Sequence, residues 1–211
     1  MKERPILFNA PMVRAILDGR KTQTRRIVKG CGLDWLNDGF TPEFVADYQN
    51  RLCPYGIPGD RLWVRETWQG PLIDEELEEE FRQSPDYFKK PSFCAYRATD
   101  TLDAINADGE ELGWRPSIHM PRWASRILLE IVSVRVERFQ DISDSGPQND
   151  CTAEGVFHCG MAVPTYEEWH GDGFNSSEKW MYKKLWESIN GAGSWVTNPW
   201  VWVVEFKRVT P

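Results

Sequence analysis

A mixed α+β fold, built as a small curved or closed β-barrel with short helices at its rim, is what this 211-residue sequence predicts. Three observations carry the prediction. Extended segments are scattered along the chain with no regular βαβ rhythm, three short helical segments interleave with them, and the longest strand candidate changes the parity of its apolar residues midway. Hydrophobic residues make up 41% of the chain and charged residues 27%, enough to bury a core and to exclude a disordered, collagen-like or coiled-coil protein. The length fits one domain spanning 1–211 better than two small ones.

The elements follow in order. Ala10 to Leu17 reads as an amphipathic helix with Met12, Val13, Ile16 and Leu17 on one side, and Gly19 is placed to end it in a left-handed conformation. Residues 24–28 read as extended. The polar stretch 29–52 carries Gly30, Gly32 and Gly39 and is expected to be a loop or insertion. Pro58-Gly59 marks a turn, after which Leu62, Val64, Glu66 and Trp68 alternate with Trp63, Arg65 and Thr67 as the two faces of a strand. An acidic helix or flexible insertion is expected over 72–90, and Phe93 to Ala98 forms a brief strand. In Arg126 to Phe139 the apolar residues occupy odd positions (Ile127, Leu129, Ile131) and then even ones (Val134, Val136). That switch predicts a bulge near Val132-Ser133, as barrels use to bend a strand. Beyond a variable region at 144–174, Asn175 and Glu178 make a capping-box-like start for a helix through Trp180, Met181, Leu185 and Ile189 to Asn190-Gly191. Trp200 to Val209 closes the chain as a strand apolar on both faces.

Composition narrows the functional classes. No stretch approaches the roughly 20 apolar residues of a membrane helix. The run Ile6-Leu7-Phe8 is too short for a signal-peptide core, so a cytoplasmic protein with no membrane partner is expected. The five cysteines (31, 53, 94, 151 and 159) contain no CxxC pair and fit free thiols in a reducing compartment. A Cys31/Cys53/His158/Cys159 zinc site matches no common ligand spacing, and no metal or cofactor is expected. The net charge of −7 argues against coating nucleic acid by charge alone. Six acids (Asp74, Glu75, Glu76, Glu78, Glu79 and Glu80) carry most of it, leaving −1 on the rest of the chain. Arg14, Arg20, Lys21, Arg25, Arg26 and Lys29 meanwhile face only Asp18 over residues 14–29, so one basic face is compatible with an acidic whole.

The chemistry concentrates in Gly19-Arg-Lys-Thr-Gln-Thr-Arg-Arg26, where four cations and two hydroxyls follow a helix end. A solvated basic strand is the plain explanation. The functional one needs Lys21 and Thr24 to converge. A regular strand would point them to opposite faces, so residues 20–24 must form a turn-like bend. In a desolvated pocket beside Arg20 and Arg25 the lysine pKa falls, and a neutral lysine can take the threonine proton to make a nucleophile.

The segment Ile16-Leu-Asp-Gly-Arg-Lys-Thr-Gln-Thr-Arg25 resembles the opening motif of the ASCH domain, within the PUA-like superfamily. Pro58-Gly59-Asp60, Asp141-Ile142-Ser143, Ala153-Glu154-Gly155 and the closing Val203-Val204-Glu205-Phe206 are similar to its later landmarks, in order and over most of the chain. Longer bacterial and phage-borne members share Cys53-Pro-Tyr-Gly56, Arg61 to Trp68 and Trp114 to Trp123 with this sequence. The resemblance implies a PUA-like small β-barrel with insertions at about 29–52, 69–92 and 157–174. It also implies a cleft beside the opening helix that recognises RNA or a nucleobase. One branch of the family hydrolyses N4-acetylcytidine with a lysine, a threonine and a glutamate. Matched by motif, these are Lys21, Thr24 and Glu154, although Ser145 to Asp150 stands where that branch has a short helical approach. In such a reaction Thr24 attacks the acetyl carbon, Lys21 takes its proton, Glu154 holds the cytosine edge or protonates the leaving nitrogen, and Arg20 or a backbone N–H near the helix end stabilises the oxyanion.

Further candidates for contact with substrate are Arg25, Arg26, Trp63, Arg65, Glu66, Trp68, His119, Arg122 and Trp123. Most of the eleven tryptophans are expected in the core, Trp180, Trp186, Trp200 and Trp202 among them, whereas Trp63 and Trp68 occupy opposite faces of one strand. Glu66 on an apolar face must pair, with Arg65 or Arg122 as expected partners, or become neutral and recognise a base. His119 is either a satisfied loop residue or a proton shuttle. The expected ligand is a modified nucleoside or short single-stranded RNA. The alternatives to an amidohydrolase are a non-catalytic module binding RNA or a modified base, and a ribonuclease.

Overall fold

A computed structural model describes residues 1–100, 113–144, 149–156 and 178–210. They divide into two compact units. The first comprises Met1–Arg14, Arg61–Leu129 and Arg208–Pro211; the second comprises Ala15–Asp60 and Glu130–Lys207.

Within the first unit, β1 (Glu3–Leu7) runs parallel to β3 (Arg61–Arg65), with Ile6 opposite Val64. A two-stranded antiparallel pair joins β4 (Trp68–Gln69) to β5 (Ala95–Tyr96). Leu62 and Val64 are buried, as their alternation requires, and Trp68, Tyr96, Met120 and Ala124 form a separate apolar cluster. The stretch 72–90, expected as an acidic helix or insertion, contains a short helix α4 (Glu78–Gln83).

In the second unit, β2 (Gln23–Ile27) pairs antiparallel with β7 (Trp200–Val209), setting Gln23 opposite Glu205 and Thr24 opposite Val204. Val201, Trp202, Val203 and Val204 are all buried, the two-faced burial that an unbroken apolar run predicts. Helix α6 (Glu178–Asn190) ends where expected, with Gly191 at φ 95°. Its buried face, however, is Tyr182 and Trp186, packed on Phe139, Ile142 and Val203, while Ile189 is half exposed. Asn175, the expected cap, lies outside the described residues. The 29–52 loop is corrected by two helices, α2 (Cys31–Asn37) and α3 (Pro42–Ala46). Leu36 and Val45 anchor them, and Gly32 lies so close to Trp202 that an added Cβ would stand 3.1 Å from that ring.

Helix α1 (Ala10–Leu17) and strand β6 (Leu128–Arg138) complete the frame; α1 is capped by the Asn9 side chain, which accepts from the Met12 amide at 3.0 Å. The hydrogen-bonded strand order is β1-β3-β6-β7-β2, so a mixed α+β fold with a five-stranded sheet stands. Among the described residues no closed barrel forms, since β1 and β2 are the two ends of that order. Strand β6 is continuous over its 11 residues. Past Ile131 its odd positions carry Arg135 and Glu137, two charged residues of the site below, while the even-numbered Val136 is buried.

Candidate functional site

The site grows from the end of α1. With Gly19 at φ 72° the chain turns, and the amides of Arg20 and Lys21 both donate to the Ala15 carbonyl, at 2.8 and 2.9 Å. Lys21 leaves that turn already extended, forming an antiparallel bridge with Glu154. The Thr22 amide donates to the Ala153 carbonyl at 2.8 Å, and the Thr22 carbonyl accepts from the Phe206 amide at 2.8 Å. The bend expected over residues 20–24 is therefore absent. Side chains on extended backbone alternate, so Lys21, Gln23 and Arg25 share one face and Thr24 and Arg26 take the other. Thr24, 1% exposed and in register with Val204, does not converge with Lys21.

Lys21 and Glu154 do converge. Both are 2% exposed, and Lys21 Nζ donates to the Glu154 carboxylate and to the Glu154 carbonyl, each at 2.8 Å. Helix α5 (Asp150–Ala153), capped by the Asn149 side chain on the Thr152 amide, carries Glu154 to this position. Gly155 follows at φ 82°, and a Cβ there would stand 3.0 Å from Ala15 Cβ and 3.1 Å from Lys21 Cβ. A side chain at 155 is excluded both by the backbone angle and by the lysine it would displace.

Arg25 organises the rest. Its guanidinium donates to Glu137 at 2.5 and 3.0 Å and to Glu154 at 3.1 Å, and it lies 3.2 Å from Asp150. Arg135 pairs with Glu137 at 3.1 Å, Asp150 at 2.8 Å and Glu205. Gln23 Nε2 donates to the Asp150 carboxylate at 3.0 Å and to its carbonyl at 3.1 Å. Each of the buried charges Lys21, Arg25 and Glu154 thus meets an opposite one, which is the condition for keeping charges out of water.

These contacts set the proton affinities. Burial depresses the Lys21 pKa, with repulsion from Arg26 and Arg25 adding to it, and Glu154 opposes the fall without cancelling it. Asp150 moves to about 2: burial raises it, but hydrogen bonding from Ser143 and Gln23 and the charges of Arg25 and Arg135 outweigh that. A depressed carboxyl contributes stability above its ordinary value of 3.8, and loses it as pH falls through about 2. Acid unfolding of Asp150→Asn followed by circular dichroism is therefore expected to lack about 2 kcal/mol of the pH dependence of the parent protein in that window. Identical titration curves would overturn the assignment.

A cavity of about 670 Å³ opens beside this network, lined by Arg20, Thr22, Gln23, Asn149, Asp150 and Thr152, with Glu205, Val132 and Phe206 also on its wall. Lys21, Thr24 and Glu154 do not line it. Arg20 is held by Asp18 at 2.7 Å. Gln23, Glu137, Arg135 and Asp150 are participants that sequence reasoning missed. The one signal for Glu137 and Arg135 was the parity change in β6, and Gln23 was readable as lying two residues from both Lys21 and Arg25.

The remaining candidates lie in the first unit. Arg65 donates to the Ile118 carbonyl and sits 5.5 Å from the Trp63 ring. Glu66 pairs with Arg126, at 2.9 and 3.0 Å, in place of the expected Arg65 or Arg122, and burial raises its pKa against that pairing. Arg122 instead reaches Glu3 at 2.9 Å. Trp68 and Trp123 meet edge-to-face at 5.5 Å, and His119 is exposed in a 3-10 turn. Each thus has a packing or pairing role or an exposed position in its own unit.

Comparison with protein-family models, curated proteins and solved structures returns no match. Among the described residues no helix is long and apolar enough to cross a membrane, and no group of His, Cys, Asp and Glu is arranged to hold a metal ion. His158 and Cys159 lie outside those residues.

Proposed function

We propose that this protein recognises a modified pyrimidine nucleoside, or an unpaired nucleotide of a short RNA, in the cavity beside β2. The observation that carries the reading is the chemistry of that cavity. Its volume of about 670 Å³ is that of a small-molecule site, for which about 300–1,000 Å³ is usual. The Gln23 amide, the Asn149 amide and the Asp150 carboxylate put donors and acceptors on its wall, as the edge of a base requires, and Val132 and Phe206 offer apolar surface to its ring. The resemblance of Ile16 to Arg25 and of Ala153-Glu154-Gly155 to ASCH sequences supports the same ligand class, and a PUA-like barrel is the finer fold that belongs with it.

A second reading, hydrolysis of an N4-acyl group, is favoured by the buried Lys21–Glu154 contact at 2.8 Å. Amide hydrolysis needs a nucleophile, a proton carrier and a donor for the oxyanion. A lysine with lowered pKa next to a carboxylate is a proton carrier. The threonines lining the cavity are Thr22 and Thr152, and Thr24 is not on its wall. The nucleophile, matched to Thr24 by motif, is therefore the weak member of this reading.

Calorimetric titration with N4-acetylcytidine, cytidine and a short single-stranded RNA tests the proposal. Binding of at least one is expected, weakened about 10- to 100-fold in Gln23→Ala because a base edge loses its partner. No binding of any of the three overturns the reading. Acetate release from N4-acetylcytidine, retained in Thr24→Ala and abolished in Lys21→Met, would establish hydrolysis with a different nucleophile; release abolished in both would restore Thr24.

A further inference from the structure

The α2–α3 hairpin presents a surface with no part in the site above. Leu36 and Val45 tie its inner side to the core, while Phe40 and Phe44 are exposed and the half-buried Trp35 packs against both. The three rings stand 5.1–5.6 Å apart, with Phe44 stacked on both partners. Phe40 is 45% and Phe44 44% exposed, and Tyr48 beside them is 57% exposed. Their backbone is pinned: the Phe40 amide donates to the Trp35 carbonyl at 3.0 Å, the Thr41 hydroxyl accepts from the Phe44 amide at 3.2 Å, and Asn50 Nδ2 donates to the Phe44 carbonyl at 2.7 Å. Isolated exposed apolar residues are ordinary, but a preorganised aromatic group of this kind resembles the anchor of an interface.

The charges around the rings say what it fits. Residues 31–50 hold Asp34, Asp38, Glu43 and Asp47 and no lysine or arginine. Asp34, Asp38 and Glu43 have no ion-pair partner among the described residues, and the Asp47 carboxylate accepts from the Gln49 amide at 2.8 Å. Stacked rings alone would suit nucleic-acid bases, but four negative charges around them repel a phosphate backbone. The same four charges attract arginine and lysine, whose cations also bind the faces of aromatic rings.

We propose that the Trp35–Phe40–Phe44 surface docks an arginine- or lysine-bearing segment of a partner protein, with aliphatic side chains against the rings and cations shared between ring faces and the surrounding carboxylates. Fluorescence anisotropy of a labelled short peptide of arginine and leucine, titrated with the full chain, tests this. Binding that weakens with added salt is expected. It should fall on the order of tenfold or more both in Phe40→Ser/Phe44→Ser and in Asp34→Asn/Asp38→Asn/Glu43→Gln/Asp47→Asn. Both variants change exposed residues, and unaltered circular dichroism separates lost docking from lost folding. A peptide that does not bind, or binds both variants as well as the parent, overturns the proposal. So does tighter binding of a single-stranded oligonucleotide at this surface, or self-association that Phe40→Ser/Phe44→Ser abolishes, which would assign the face to a second copy. Nucleoside binding in the β2 cavity is expected unchanged in both variants.

Discussion

Arg25→Met is expected to destabilise the protein by about 3–5 kcal/mol at neutral pH, measured by guanidinium unfolding. Methionine fills much of the same space, so the loss is electrical. Glu137, Asp150 and Glu154 would be left facing one another with only Arg135 and Lys21 beside them. Exposed ion pairs contribute about 0–1 kcal/mol, but the Arg25 side chain is fully buried, and removing it leaves carboxylates without the partner that offset their desolvation. Asp150, which Arg25 helps to hold at about 2, would rise toward its ordinary value of 3.8, so its share of the deficit should shrink as pH falls from 3.8 toward 2. Arg25→Lys should lie between, keeping the charge and losing the fork that reaches three acids. A deficit below about 1 kcal/mol, or one indifferent to pH, would mean the cluster is wetter than its burial indicates.

The mirror-image experiment is Glu154→Leu. It removes the carboxylate that Lys21 and Arg25 share, leaving Lys21 only the backbone carbonyl of residue 154 among its acceptors named above, and is expected to cost about 3–5 kcal/mol as well. Its pH signature has the opposite sign. Without the Glu154 carboxylate the burial and repulsion that lower the Lys21 pKa lose their main opponent, so folding expels a proton that the unfolded chain holds up to its ordinary value of 10.5. Stability of the variant relative to its parent should therefore recover as pH rises toward that value. Lys21→Met combined with Glu154→Leu should cost clearly less than the two single changes added together, because the second removes a charge the first had stranded. Strict additivity would show that the 2.8 Å contact carries no coupling.

How much of this was legible from the chain differs element by element. Helix α1 was readable because it buries side chains in the period of its own backbone, and strand β7 because a short unbroken apolar run marks a strand buried on both faces; both are local information. The α2–α3 hairpin was not, since Gly30, Gly32 and Gly39 weigh towards a loop. Gly32 proves to be needed for contact with Trp202, a residue 170 positions further on. In strand β6 the odd positions after Ile131 include Arg135 and Glu137, and a pattern of apolar positions cannot tell a charged residue facing an inner partner from one facing water. Glu66 was rightly singled out as a carboxylate that must pair, but its partner was assigned to the wrong arginine.

The sequence by itself determined the α+β class and several of its elements, and the motifs around Lys21 and Glu154 placed both, with Thr24, in one expected site. It also set the alternation that separates Lys21 from Thr24, unless the backbone bends. Whether it bends, and which carboxylates surround Arg25, were decided only in three dimensions. The partners are 112 to 133 residues apart, and an ion pair leaves no period along the chain. It forms where packing brings opposite charges together out of water. Backbone geometry fixes what neighbours in sequence can do, but only the closed core chooses which distant charges must meet.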